Sequence, residues 1–193
     1  IFVQKRFELR SVIATNFLSC AGYFFMSWYL WLLLPFAISM AYASARGAPW
    51  VPTRKRDIKR VCALLPITVG QVFYELGCGD ARLSVAVARA TGARCIGVEL
   101  SAIHAIISWV RAKFSKQDVT ILWRDVFRLS LRDADAIYLF LMPETYQKIR
   151  SKLEAELRQG TIVISYVWPI PGWTPTIVDH QDGQLDLFVY QTP

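Results

Sequence analysis

One stretch constrains this chain more than any other: Tyr74-Glu75-Leu76-Gly77-Cys78-Gly79-Asp80. An apolar, strand-like run ends there in two glycines one residue apart and passes straight into a helical pattern. Glycines at such a point let the backbone turn tightly and approach a ligand with no Cβ in the way. Amides opening the next helix can receive a carboxylate. In an open α/β sheet, ligands bind at the carboxyl ends of the strands, so this loop marks an edge where a site is expected.

The pattern around the loop predicts the rest of the sheet. Residues 71–76 read as a strand, 81–91 as a helix and 94–100 as a second, β-branched strand. Ile103, Ile106, Ile107, Val110 and Phe114 recur at helical spacing and mark the apolar face of the next helix. Residues 119–123 form a third strand, and 134–141, apolar throughout, a fourth that is buried on both faces. Tyr146, Ile149, Leu153 and Leu157 predict a third helix stopped by Gly160. Residues 161–168 form a fifth strand. Residues 176–179 and 185–190 form a closing hairpin that turns at Asp182-Gly183. Strands alternating with helices imply parallel crossover units. With the final antiparallel pair, the expected fold is a Rossmann-like α/β sheet of the class I methyltransferase kind.

Three acids sharpen the reading of the loop. Glu75 gives Glu-x-Gly-x-Gly at the strand end. Glu99 closes the second strand in Gly97-Val98-Glu99-Leu100, where a carboxylate accepts hydrogen bonds from both ribose hydroxyls. Asp125 follows the third strand in Trp123-Arg124-Asp125-Val126, where it can accept from an adenine amino group. That order and spacing point to S-adenosylmethionine. A dinucleotide fold would want glycine or alanine as the last member of Gly-x-Gly-x-x-Gly, and Arg82 stands there. Ala81 departs from the third glycine that methyltransferases often have, which leaves a degenerate, non-binding fold as an alternative.

The amino-terminal part has a different character. The chain is 54% hydrophobic, and no charged residue lies between Arg10 and Arg46. A helix needs about 20 apolar residues to cross a bilayer, and two crossings with a turn need roughly 38, so one transmembrane helix is expected at about residues 15–44. Pro35 is tolerable within it. A cleaved signal peptide is the rival, with Ala41-Tyr42-Ala43-Ser44-Ala45 as a weak cleavage site, but its apolar core would be shorter. The expected organisation is an anchor over 1–46, a pre-fold segment over 47–70 and a cofactor-binding domain over 71–193. The pre-fold segment carries a short amphipathic helix on Ile58, Val61, Cys62 and Leu65, with its basic residues on the other face. A first residue of Ile1 suggests a truncated or unusually initiated chain.

Charge gives the orientation. Residues 1–60 hold nine Lys or Arg against Glu8 and Asp57, a net of +7, while residues 61–193 hold 13 of each sign. The heavier positive flank, Arg46 to Arg60, keeps to the cytoplasmic side. The large domain is therefore expected on the cytoplasmic or mitochondrial matrix side of a single-pass membrane protein. A neutral domain argues against nucleic acid as a partner. His104 and His180 are isolated, so no metal is expected. Cys20, Cys62, Cys78 and Cys95 form no CxxC pair, which fits a reducing compartment.

The chain resembles the membrane-anchored protein-lysine methyltransferases of mitochondria and their prokaryotic relatives, whose eukaryotic members act on the adenine nucleotide translocase or the c subunit of ATP synthase. The resemblance runs from about residue 48 to residue 190. It rests on Pro49-Trp50-Val51-Pro52-Thr53, Glu75-Leu76-Gly77-Cys78-Gly79-Asp80-Ala81-Arg82, Gly97-Val98-Glu99-Leu100, Met142-Pro143 and Trp168-Pro169-Ile170-Pro171-Gly172-Trp173-Thr174-Pro175. It implies that Gly77, Gly79, Asp80, Glu99 and Asp125 carry the cofactor and that Thr53 lies over it. Glu75, Leu100 and Val126 complete the expected cofactor set.

Transfer of a methyl group to an amine is in-line displacement, in which alignment and desolvation do most of the work. A lysine of pKa about 10.4 must first lose a proton, which costs about 4.6 kcal/mol near pH 7. An apolar pocket lowers that pKa, and aromatic faces attract ammonium groups. Met142, Pro143, Trp168 and Trp173 are the expected substrate wall, with Tyr138 and Phe140 nearby. Glu144 is the candidate proton acceptor, although an acid is favoured in a helix's first turn on any reading. The fourth strand lacks the Asn/Asp-Pro-Pro-Tyr/Phe tetrapeptide usual in enzymes that methylate base amines or glutamine amides, and has Leu141-Met142-Pro143-Glu144 instead. The expected activity is therefore lysine methylation of a membrane protein. A lipid or membrane-soluble small molecule is the alternative substrate, and a membrane scaffold with a vestigial cofactor fold is the non-catalytic alternative.

Overall fold

Short apolar runs punctuated by glycine build a seven-stranded sheet in a computed structural model that describes residues 31, 33–35, 37–39, 41 and 51–193. The strands are β1 (Val72–Leu76), β2 (Arg94–Glu99), β3 (Val119–Trp123), β4 (Ala136–Leu139), β5 (Ile162–Tyr166), β6 (Ile177–Asp179) and β7 (Leu187–Gln191). The helices are α1 (Lys55–Leu64), α2 (Arg82–Thr91), α3 (Ala102–Ser115) and α4 (Pro143–Glu156). Strand order is β3-β2-β1-β4-β5-β7-β6. The first five strands pair in parallel, and β7 pairs antiparallel with both β5 and β6. The chain winds outward through β2 and β3 and then crosses back to β4, so β1 and β4 lie side by side where the winding reverses. That reversal opens the crevice in which such sheets bind ligands.

Alternation along the strands sorts two cores. Phe73, Tyr138, Ile164 and Tyr166 join Leu83 and Val87 of α2 and Ile58 and Val61 of α1 on one face. Tyr74, Leu76, Ile137, Leu139 and Val163 join Tyr146, Ile149 and Leu153 of α4 on the other. All four residues of β4 are buried, as its unbroken apolar run predicts.

The structure corrects two sequence expectations here and settles which way a third element faces. The basic residues of α1 do not all face outward. Arg60 is buried and reaches Asp57 Oδ1 at 3.0 Å, Asp179 Oδ2 at 2.7 Å and the Leu185 carbonyl at 2.8 Å. Asp57, fully buried, also accepts the Tyr166 hydroxyl at 2.6 Å, so a polar knot ties the pre-fold helix to β5 and the closing hairpin. Gly160 does not stop α4, which ends at Glu156 with Leu157 already extended; Gly160 turns the chain before β5. The apolar stripe of α3 is not its core face. His104, Ala105, Ser108 and Ala112 point inward, and Ile106, Ile107, Val110 and Phe114 are exposed.

The expected membrane span falls mostly outside the described residues. Its described positions between 31 and 41 are helical. Among the described residues no helix is long and apolar enough to cross a membrane. The chain divides into two compact units, Ile1–Ser39 and Met40–Pro193, and the site lies in the second.

Candidate active site

The carboxyl ends of β1, β2 and β4 surround a cavity of about 330 Å³, within the range of roughly 300–1,000 Å³ usual for small-molecule sites. The loop after β1 forms its floor. Gly77 and Gly79 hold positive φ, +81° and +56°. A Cβ on Gly77 would come to 3.2 Å from the Leu141 side chain, a tight contact that adds to the backbone's demand for glycine there. The loop folds over the end of β2, where the Val98 carbonyl accepts both the Gly77 and Cys78 amides at 2.9 and 3.0 Å. Ala81 also sits in the left-handed region, at φ 55°, and is fully buried. This explains the glycine usual at that place: a side chain there costs about 1–2 kcal/mol of backbone strain.

Four carboxylates line the cavity, each held differently. Glu99 accepts the Gly79 amide at 2.8 Å through one oxygen and the Ser101 amide at 2.7 Å through the other. It thus anchors the glycine loop and keeps free lone pairs for a ligand's hydroxyls. Asp125 caps the short 3₁₀ turn Val126–Arg128 by accepting the Phe127 amide at 3.0 Å. Asp80 is gripped by Arg82 at 2.6 Å and by Arg111 of α3 at 2.9 Å. Burial alone would raise its pKa, but the Arg82 hydrogen bonds and the two guanidinium charges outweigh that and hold it below the usual carboxylate range. Glu75 is the opposite case. Burial pushes its pKa up to about 8, against the hydrogen bonds from the Ser84 hydroxyl and amide, and the nearby charges of Asp80 and Glu99 push the same way.

The far end of the cavity is apolar and aromatic, with Tyr138, Phe140, Leu141, Met142 and Trp168. The Tyr138 and Thr53 hydroxyls share a 3.2 Å hydrogen bond, which closes the pre-fold segment over the crevice. Phe140 meets Tyr166 edge to face at 4.8 Å. Val167 stands at φ 72°, an outlier for a β-branched residue. Its amide donates to the Asp186 carbonyl at 2.9 Å, and the Ser165 hydroxyl donates to the Trp168 carbonyl. Together these hold the sharp turn that brings Trp168 to the cavity.

All nine residues of the expected cofactor set line this one cavity, as do Met142 and Trp168. Pro143, Glu144 and Trp173 do not. Pro143 opens α4 and Glu144 is an exposed first-turn acid. Trp173 packs edge to face on Tyr190 at 5.6 Å and donates its indole N–H to Glu154 at 2.9 Å, so it braces α4 rather than the cavity. The cavity also has walls that were not expected from sequence. Arg82, which follows the glycine loop, is one of them. Ser101, His104 and Thr145 stand at helix starts beside expected site residues, a position that could have flagged them. Val167 and Leu185 had no sequence signal, since a strained turn and a hairpin bring them in.

Glycine turns at positive φ, opposed to acids at the ends of β2 and β3 and closed by an apolar end, fit an adenosyl group with an amino-acid tail. The family profile described as ANTKMT methyltransferase domain matches residues 75–177, more than half of the chain. The chain belongs to the ANTKMT methyltransferase domain family. It is an S-adenosylmethionine-dependent methyltransferase. In this family it is similar to a protein-lysine N-methyltransferase of Saccharolobus islandicus, with 29% identity over 148 residues, covering 74% of this chain and 91% of the relative. It is also similar to the mouse adenine nucleotide translocase lysine N-methyltransferase, with 30% identity over 67% of this chain and 57% of the relative, so the matched part spans little more than half of that protein. Among solved structures it resembles an RNA methyltransferase from Salinibacter ruber in complex with S-adenosyl-L-homocysteine. The TM-score is 0.71 and the identity 29%, over 74% of this chain and 94% of that one.

Proposed function

We propose that this ANTKMT-family chain N-methylates a lysine side chain of a membrane protein. The observation that carries the reading is the apolar, aromatic end of the cavity, opposite the glycine loop. Bound S-adenosylmethionine supplies a methyl group on a positive sulfonium. Glu99 and Asp125 would hold its ribose and adenine. The turns at Gly77 and Gly79 would receive its amino-acid tail, and Asp80, kept ionised by Arg82 and Arg111, fixes the loop. Thr53 and Tyr138 close over the crevice and exclude water. The walls formed by Tyr138, Phe140, Met142 and Trp168 desolvate an incoming ammonium group, which favours the neutral amine that can attack. The names of the Saccharolobus and mouse relatives support lysine as the acceptor. Glu144 does not line the cavity, so neither proton removal nor orientation of the amine is assigned to it.

The membrane location rests on the uncharged run from residue 11 to residue 45 and on the basic residues that follow it. We place the domain on the cytoplasmic or matrix side of a single-pass anchor.

The full chain, expressed in membranes and incubated with methyl-labelled cofactor, tests the substrate class. Label recovered as methyl-lysine after protein hydrolysis is the expected result. Label that follows extracted lipid, or that enters nucleic acid as the name of the Salinibacter relative would have it, overturns the lysine reading.

A further inference from the structure

Helix α3 is amphipathic with its apolar side turned away from the protein. His104, Ala105, Ser108 and Ala112 pack toward the sheet and α2. On the opposite side Ile106, Trp109, Val110 and Phe114 form one exposed stripe, with Ile106 63% and Phe114 78% accessible. Trp123 ends the edge strand β3 beside it, 68% accessible, and its indole N–H donates to the Leu100 carbonyl at 3.0 Å, two residues before α3 begins. Soluble monomers rarely expose a contiguous apolar surface of more than a few hundred Å² unless it meets a partner.

The charges around the stripe are mostly positive. Helix α3 and the residue after it carry Arg111, which is paired with Asp80, and Lys113 and Lys116, with no acid; exposed Arg124 and Arg128 follow β3, and Asp118 is the exposed acid between the two elements. The Lys113 ammonium lies 5.0 Å from the centre of the Trp109 ring. Trp, Phe and Ile on one face with Lys and Arg beside them is the composition of a helix that lies in a membrane interface. A symmetric contact with a second copy would set this patch against itself, cation against cation. An anionic leaflet complements the same charges.

We propose that the outer face of α3, with Trp123, docks on an anionic lipid bilayer and fixes how the catalytic domain faces the membrane. This rests on the membrane location proposed above. Only residues 47–54 separate Arg46, the first charge after the uncharged run, from α1. At no more than about 3.3–3.6 Å per residue a connection of that length can reach at most about 30 Å, which limits how far the domain can lie from the surface.

The test uses the full chain reconstituted in phosphatidylcholine vesicles, with or without phosphatidylglycerol. An apolar carbene-generating reagent dissolved in the acyl layer is photolysed, and adducts are mapped by mass spectrometry. Adducts are expected on residues 106–114 and on Trp123, several-fold more in the anionic vesicles than in the neutral ones, together with adducts on residues 11–45. The variant Ile106→Ser/Trp109→Ser/Phe114→Ser changes only exposed side chains. It should lose the α3 adducts while binding S-adenosylmethionine in detergent with unchanged affinity. Adducts confined to residues 11–45 overturn the docking face and leave the anchor standing. Protection of α3 that grows with protein concentration overturns it in favour of a second copy. Adducts in neither segment overturn the docking face and the membrane location together. Adducts on α3 without methyl transfer to protein lysine support the docking face and sink the lysine reading alone.

Discussion

Helices α2 and α3 follow β1 and β2 in the same way, and both carry apolar residues at helical spacing, yet they use them in opposite directions. In α2, Leu83, Val85, Val87 and Ala88 are buried, and Ser84 gives its hydroxyl and amide to Glu75. In α3 the large apolar side chains are outside, and small or polar ones make the protein contact. A periodic pattern identifies a face but does not say what that face meets. Helix α2 lies over β1 and β2, where its side chains enter a core, while α3 sits at the β3 edge, where packing room is taken by small residues.

The largest expected contrast between these helices is in stability. Leu83→Ala should cost about 2–5 kcal/mol in urea unfolding, as a core truncation that leaves a cavity. The polar grip of α2 on Glu75 sharpens the comparison through pH. With its folded pKa raised from 4.5 to about 8, Glu75 keeps a proton between those values that the unfolded chain has lost. Stability of the ligand-free chain should therefore fall by about 1.4 kcal/mol per pH unit across that window, from this group, as pH rises. Glu75→Gln should flatten that slope, and an unchanged slope would show that Glu75 is ionised in the fold. A smaller effect is expected where the loop enters α2: Ala81→Gly should raise stability by about 1 kcal/mol by relieving the left-handed alanine. Smallest of all, Phe114→Ser on α3 should change the unfolding free energy by no more than about 0.5 kcal/mol. A loss as large as that of Leu83→Ala would mean that the α3 face is covered within the chain.

The cofactor end was legible because its chemistry is local. The turn at Gly77 and Gly79 favours glycine, and acids at or just past the carboxyl ends of β2 and β3 must fall at one end of the sheet once the strands are parallel. The substrate end was half legible. Met142 and Trp168 follow β4 and β5 and reach the cavity, but Trp173, five residues beyond Trp168, turns back onto Tyr190. Spacing cannot distinguish those two tryptophans, because the turn that separates them depends on Val167 and on hydrogen bonds to the hairpin.

By itself the sequence determined the strand–helix alternation, the glycine loop with its two downstream acids, and the uneven charge along the chain, since each follows from residue type and spacing. Only the tertiary structure decided that β7 inserts between β5 and β6, that Asp57 and Arg60 bind the pre-fold helix to the hairpin, and that α3 faces outward. Those outcomes depend on which surfaces compete for burial once the sheet is assembled, and no local pattern records that competition.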